Sequence, residues 1–185
     1  MKREAGKRIP DSKLVLPVAK RDHIRGPIDA PMALLEYGDY ECPYCGDAYP
    51  VVLALQRQLG NRLCFAFRNF PLVDSHPHAE HAAEAAEAAA AQGKFWEMHD
   101  MLFENQNALE DEDLARYAEA LSLDARRFVS EVAKEAHSKR ILEDVRNGER
   151  DGVDGTPMFF VNGLRYDGEP GVAALYAALT GSKTG

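Results

Sequence analysis

Apolar residues along this chain fall into two rhythms, and the order in which they alternate predicts the architecture. Ala33-Leu34-Leu35-Glu36-Tyr37 is a short, mostly apolar run closed by Gly38, the pattern of a buried strand. A helical rhythm follows, with Val51, Val52, Leu55 and Leu59 on one face, starting near Pro43 and stopping around Gly60-Asn61. Proline suits a first helical position because the donor it lacks has no partner there. Pro50, inside the same helix, is expected to kink it. Leu63-Cys64-Phe65-Ala66-Phe67 returns to strand character. Strand, helix and strand in succession form a βαβ unit, which implies parallel strands.

From about 78 to 150 the pattern is helical throughout. Nine of the thirteen residues in Ala79–Ala91 are alanine, a composition of high helix propensity and small enough for close packing. Gly93 breaks it. Phe95, Met98, His99 and Leu102 make the next face, and Leu114, Tyr117, Ala118 and Leu121 another. Asp124 is placed to cap a helix burying Phe128 and Val132, and Ile141, Leu142 and Val145 mark one more. Strand character resumes at Met158-Phe159-Phe160-Val161. Asn162-Gly163 then signals a type I′ hairpin into Leu164-Arg165-Tyr166. A last helix is expected over about Val172 to Leu179. The expected fold is therefore α/β, βαβ first and ββα last, around a helical insertion over about 74–152. Residues 1–31 read as a polar, basic and proline-rich arm before a domain over 32–185, with a short strand at Leu14–Leu16.

Composition narrows the function. A net charge of −8 argues against nucleic acid or an anionic membrane surface as partner. No apolar stretch approaches the roughly 18 residues of a membrane-spanning helix. The basic start (Lys2, Arg3, Lys7, Arg8) is followed only by a proline-interrupted patch at Leu14–Ala19, which does not read as a secretory leader. A cytoplasmic location is the expectation, or an extracytoplasmic one if a leader has been removed. Three cysteines, at 42, 45 and 64, do not make a secreted disulfide scaffold.

Cys42-Pro43-Tyr44-Cys45 opens a helix directly after a buried strand. The free N–H groups and positive dipole end of that helix favour a thiolate at Cys42. One helical turn separates the sulfurs, so Cys45 can resolve a mixed disulfide that Cys42 forms. The competing reading is half of a zinc site, with His76, His78 or His81 supplying the missing ligands. There is no second close cysteine pair, and the histidines read as packing or capping residues at a helix start. Gly155-Thr156-Pro157, just before the second strand group, is either an ordinary turn or a cis-proline loop that exposes backbone to a passing peptide. Glu36 is the one charge in its strand. Buried, it would carry a raised pKa and exchange protons with the sheltered thiol; at the strand's end it would simply face solvent. Cys64 reads as an inert core cysteine.

At these residues the chain resembles the DsbA-like branch of the thioredoxin superfamily. Leu35 through Cys45 is similar to that branch's active-site segment, Pro50 to its kink proline, Gly155-Thr156-Pro157 to its cis-proline loop and Glu36 to its buried acid. Arg68-Asn69-Phe70-Pro71-Leu72 and His76-Pro77-His78-Ala79 are also family-typical. The likeness spans roughly 22–180 and extends to bacterial thioredoxin-like domains, some fused to sodium/proton antiporters. It implies Cys42, Cys45 and Glu36 as catalytic residues and Pro43, Tyr44, Thr156 and Pro157 as the substrate-binding side. It also implies protein thiols and disulfides as substrates, and neither cofactor nor metal. The Pro-Tyr dipeptide departs from the Pro-His of the periplasmic oxidant and matches glutaredoxins. Alternatives are thus a glutathione-dependent reductase, or a redox-sensing binding or regulatory module with a partner protein. The motif itself carries dithiol chemistry in either direction.

Overall fold

The uninterrupted apolar run around Leu34 becomes the middle strand of a five-stranded sheet, as expected of a strand buried on both faces. In the computed structural model, which describes residues 13–181, the strands are β1 (His23–Arg25), β2 (Met32–Gly38), β3 (Leu63–Asn69), β4 (Met158–Val161) and β5 (Leu164–Tyr166). They lie in the order β1-β3-β2-β4-β5. β2 and β3 run parallel, joined by helix α1 (Pro43–Leu59) and a 3₁₀ turn at Gly60–Arg62. β4 pairs antiparallel with β2, and β5 with β4. The hairpin between them takes positive φ at Asn162 (50°) and Gly163 (82°), the turn that the Asn-Gly pair predicts. Pro50 lies inside α1, where it can donate no helical bond.

The pleat of β2 divides the core. Leu34 shares one face with Phe65, Phe67, Phe159 and Val161, under α1 and the last helix, α7 (Val172–Thr180). Leu35 and Tyr37 pack with Ala66, Phe70, Val153 and Phe160 on the other. The helical insertion comprises α2 (Ala79–Ala90), α3 (Phe95–Glu104), α4 (Asp111–Ala120), α5 (Ala125–Ala133) and α6 (Ser138–Arg150). α2 is buried nearly all round, which its alanines permit. Its two buried acids are answered: Glu87 accepts from Asn69 Nδ2 (2.8 Å) and meets His23 Nε2 (2.9 Å), and Glu84 accepts from the His137 N–H (2.9 Å). Asp124 caps α5 by accepting from the Arg127 N–H.

The structure differs from the expected arm. The start of that arm, with its lysines and arginines at 2, 3, 7 and 8, lies outside the described residues. Leu14–Leu16 forms no strand; Lys13 makes a single bridge to Leu164, and the Leu14 N–H donates to the Gly163 carbonyl (3.0 Å). The strand lies further on, at β1, which pairs antiparallel with β3. Three residues, two of them polar, leave no apolar period to read. What holds this segment is a buried cation. Arg68, fully enclosed, donates from Nε to Asp22 (2.9 Å), from Nη1 to the Tyr37 hydroxyl (2.9 Å) and from Nη2 to the Leu16 carbonyl (2.9 Å). Tyr37 passes the bond on to Asp151 Oδ2 (2.8 Å), while Asp151 Oδ1 accepts from the Val15 N–H (2.6 Å).

Candidate active site

The C-terminal ends of β2 and β3 open onto the start of α1. Cys42 occupies the N-cap position with extended backbone (φ −68°, ψ 121°), and Pro43 is the first helical residue. Both cysteines are free thiols, Cys42 3% exposed and Cys45 fully enclosed. Their environments pull in opposite directions. Hydrogen bonding from Cys45 does most to draw the Cys42 pKa down to about 5; burial opposes it, and Thr156 and the N–H groups of Cys45 and Tyr44 assist. Burial pushes Cys45 well above the usual thiol range, helped by its bond to Cys42 and by the charges of Glu36 and Cys42. One sulfur is held as thiolate and its neighbour as thiol.

Thr156-Pro157 lies against this pair, joined by a cis peptide bond. The neutral Cys42 thiol donates to the Thr156 carbonyl (3.4 Å). On ionisation the sulfur becomes an acceptor that the Thr156 side chain favours, its buried hydroxyl having no hydrogen-bond partner among the described residues. Tyr44, 70% exposed, and Pro157 line a groove of about 580 Å³ with Asp47, Ala48, Glu169 and Pro170. Of the two readings of Glu36, the buried one holds: it is 2% exposed on the α1 side of β2, between Phe67 and Phe159, with Oε1 unpartnered among the described residues. Burial first, and the Cys42 charge second, raise its pKa to about 8. Cys64 sits on the opposite face of the sheet, beside Ala33, at a cavity of about 510 Å³ lined by Leu14, Pro17 and Val18; burial raises its pKa.

Two features escaped sequence reasoning. Asp39 organises the loop between β2 and α1: its N–H donates to Cys45 Sγ (3.4 Å) and its carbonyl accepts from the Cys42 N–H (3.2 Å). Its enclosed carboxylate accepts from the N–H groups of Glu41 and Leu72 (2.8 Å each) and pairs with His76 Nδ1 (2.7 Å). Burial works against protonated His76, but the Asp39 bond and charge, with those of Cys42 and Glu41, raise its pKa. His76 is therefore neither a cap nor packing but an imidazole paired with Asp39 beside the cysteine loop, with protonation favoured there. His78 stands at the N-cap of α2 without a side-chain cap bond, and His81 pairs with Asp111. No group of three or more His, Cys, Asp or Glu among the described residues could hold a metal ion. The second feature is Gln106, between α3 and α4, whose amide donates to the carbonyls of Tyr40 (2.8 Å) and Cys42 (2.9 Å). An acid three residues before Cys42 was a readable hint of the first; Gln106, 64 residues on, gave none.

A family model described as Thioredoxin matches residues 19–180. "Na(+)/H(+) antiporter NhaA 1" of Salinispora arenicola is 49% identical over 173 residues, covering 93% of this chain and 26% of that protein. The chain thus spans about a quarter of the length of such curated relatives, as fits a thioredoxin-like domain fused to an antiporter. Among solved structures, oxidised BdbD from Bacillus subtilis superposes with a TM-score of 0.82 at 21% identity, covering 93% of this chain and 98% of that one. The thiol-disulfide exchange protein α-DsbA2 from Wolbachia pipientis gives 0.74 at 17% identity, covering 88% and 87%. These likenesses establish the expected DsbA-like α/β fold with its helical insertion. None of them supports the cytoplasmic expectation, and no helix among the described residues is long and apolar enough to cross a membrane.

Proposed function

Because this chain belongs to the thioredoxin family, we propose that it is a thiol–disulfide oxidoreductase that exchanges disulfides with protein substrates through Cys42 and Cys45. The observation that carries this reading is the placement of Cys42 at the N-cap of α1, one turn before the enclosed Cys45 and against the Thr156 carbonyl (3.4 Å), surroundings that push the two thiol pKa values apart. In the reducing direction the Cys42 thiolate attacks a substrate disulfide; the Cys42–substrate bond forms, the substrate S–S bond breaks, and the departing thiolate takes up a proton. Forming the Cys42–substrate bond removes the Cys42 charge, one of the two causes that keep Glu36 protonated, so Glu36 can release its proton. Cys45 then loses its proton to the ionised Glu36 and attacks Cys42 Sγ. That step forms the Cys42–Cys45 disulfide and releases the second substrate thiolate. The oxidising direction is the same sequence reversed. Substrate backbone lies along Thr156-Pro157, with Pro43 and Tyr44 on the other wall. The name of the Wolbachia relative, a thiol-disulfide exchange protein, supports the same chemistry.

Cys45→Ser should halt the cycle at the mixed disulfide and accumulate substrate adducts on Cys42. An absence of adducts with substrate present under oxidising conditions overturns the reading. The reduction potential of the pair then separates oxidant from reductant. Glutathione is the weaker alternative as substrate, because the groove offers two carboxylates and no cation to its own two carboxylates.

A further inference from the structure

The groove beside Cys42 is charged on one side only. Tyr44, Pro157 and Pro170 give it apolar walls, while its ionisable lining is Asp47 and Glu169. Both are exposed, and neither side chain has an ion-pair partner among the described residues. Cations close to this surface are already matched. Arg165 is held by Asp167 (2.7 Å) and Asp154 (3.6 Å), the latter on the loop leading to Pro157. His76, on the other flank of the cysteine loop, is matched by Asp39 (2.7 Å). The chain as a whole adds to the bias with a net charge of −8. An extended polypeptide reacting at Cys42 would thus bring its flanking side chains between two unneutralised carboxylates.

Resting on the oxidoreductase reading above, we propose that this site selects substrate cysteines flanked by lysine or arginine, the flanking cation being received by Asp47 and Glu169. An acidic flank meets repulsion from the same two groups. Neutral and aromatic flanks find only the walls of Tyr44, Pro157 and Pro170. Opposite charges raise the encounter rate and like charges lower it, and salt screens both.

The test uses the full chain carrying Cys45→Ser, which stops at the adduct. Its probes are short peptides of one sequence with Lys, Gln or Glu beside a cysteine joined as a mixed disulfide to pyridine-2-thiol. Cys42 attacks the peptide sulfur and displaces pyridine-2-thiolate, the better leaving group, which takes a proton to become 2-thiopyridone; one S–S bond forms and one breaks. Capture rates are divided by those of dithiothreitol with the same peptides, which removes any intrinsic reactivity of the flank. The Lys peptide should react about fivefold faster than the Glu peptide at low ionic strength, and less than about twofold faster in roughly 0.5 M salt. Asp47→Asn with Glu169→Gln should abolish the preference. Equal or reversed rates overturn the substrate preference and leave the oxidoreductase reading standing, whereas no adduct with any peptide overturns that reading itself. A preference that ignores salt, or survives in the double variant, also overturns the assignment to these carboxylates.

Discussion

Glu36 places a carboxyl with an unpartnered oxygen in the middle strand, where charge is expensive. Below pH 4.5 it is protonated whether the chain is folded or not. Between 4.5 and about 8 the unfolded chain releases the proton while the folded one retains it, so stability falls as pH rises and levels off above 8. The loss between pH 4.5 and 7 should be about 3 kcal/mol. Glu36→Gln should remove that slope, whatever it does to absolute stability, as urea titrations of the reduced protein at several pH values would report. His76, whose pKa is also raised, acts on the neighbouring thiol. Protonated, it places a positive charge beside the loop that favours the Cys42 thiolate, and with it the reduced protein. His76→Ala should raise the midpoint of Cys42 ionisation, followed by thiolate absorbance, above about 5. The couple should become more reducing by about 30 mV for each tenfold loss of reduced-state stabilisation, or about 1.4 kcal/mol.

Among elements, the helical insertion does more than widen the molecule. Gln106 reaches back from the α3–α4 connection to the loop before α1, donating to the carbonyls of Tyr40 and Cys42, the second of which also accepts the first helical bonds from the Cys45 and Gly46 N–H groups. Gly46 keeps the space for it, since a Cβ there would run into the Gln106 amide. Gln106→Ala should cost about 1–2 kcal/mol. Gly46→Ala, which displaces the same amide, should cost a similar amount, and the double variant less than the sum in a denaturation cycle. The scale also explains what the sequence made legible. α1, β2, β3, the hairpin and the cysteine pair all announce themselves within a dozen residues, through period, proline or Asn-Gly. β1 does not, because its place depends on pairing with β3 and on Arg68 reaching Asp22. His76 looked like packing for the same reason: its partner Asp39 is 37 residues away. Local rhythm marks elements, and it is silent on the polar contacts that join them.

For the molecule as a whole, Arg68 is the tie between the sheet and the residues preceding it. Arg68→Met would leave Asp22 charged and enclosed with only the partly exposed Arg21 (3.6 Å) to pair it, at an expected cost of about 3–5 kcal/mol. Replacing Asp22 by leucine at the same time should recover much of that loss, which guanidinium unfolding would measure. By the same contacts, residues 13–25 belong to the folded body, and a chain beginning at 32 would lack both β1 and Asp22. Asn162 closes the opposite end of the sheet from the cysteines. It exchanges bonds with Ala33 through its N–H (2.8 Å) and side-chain oxygen (2.9 Å), and its amide donates to Leu179 near the end of α7 (3.2 Å). Lys13 and Leu14 bridge to the same hairpin. Both described ends therefore gather at one pole, separated from the thiols by the length of β2, about 20 Å. A tether at either terminus would act like a mooring line at the stern: cargo could be attached there, and the reactive prow would still swing free toward whatever swims past.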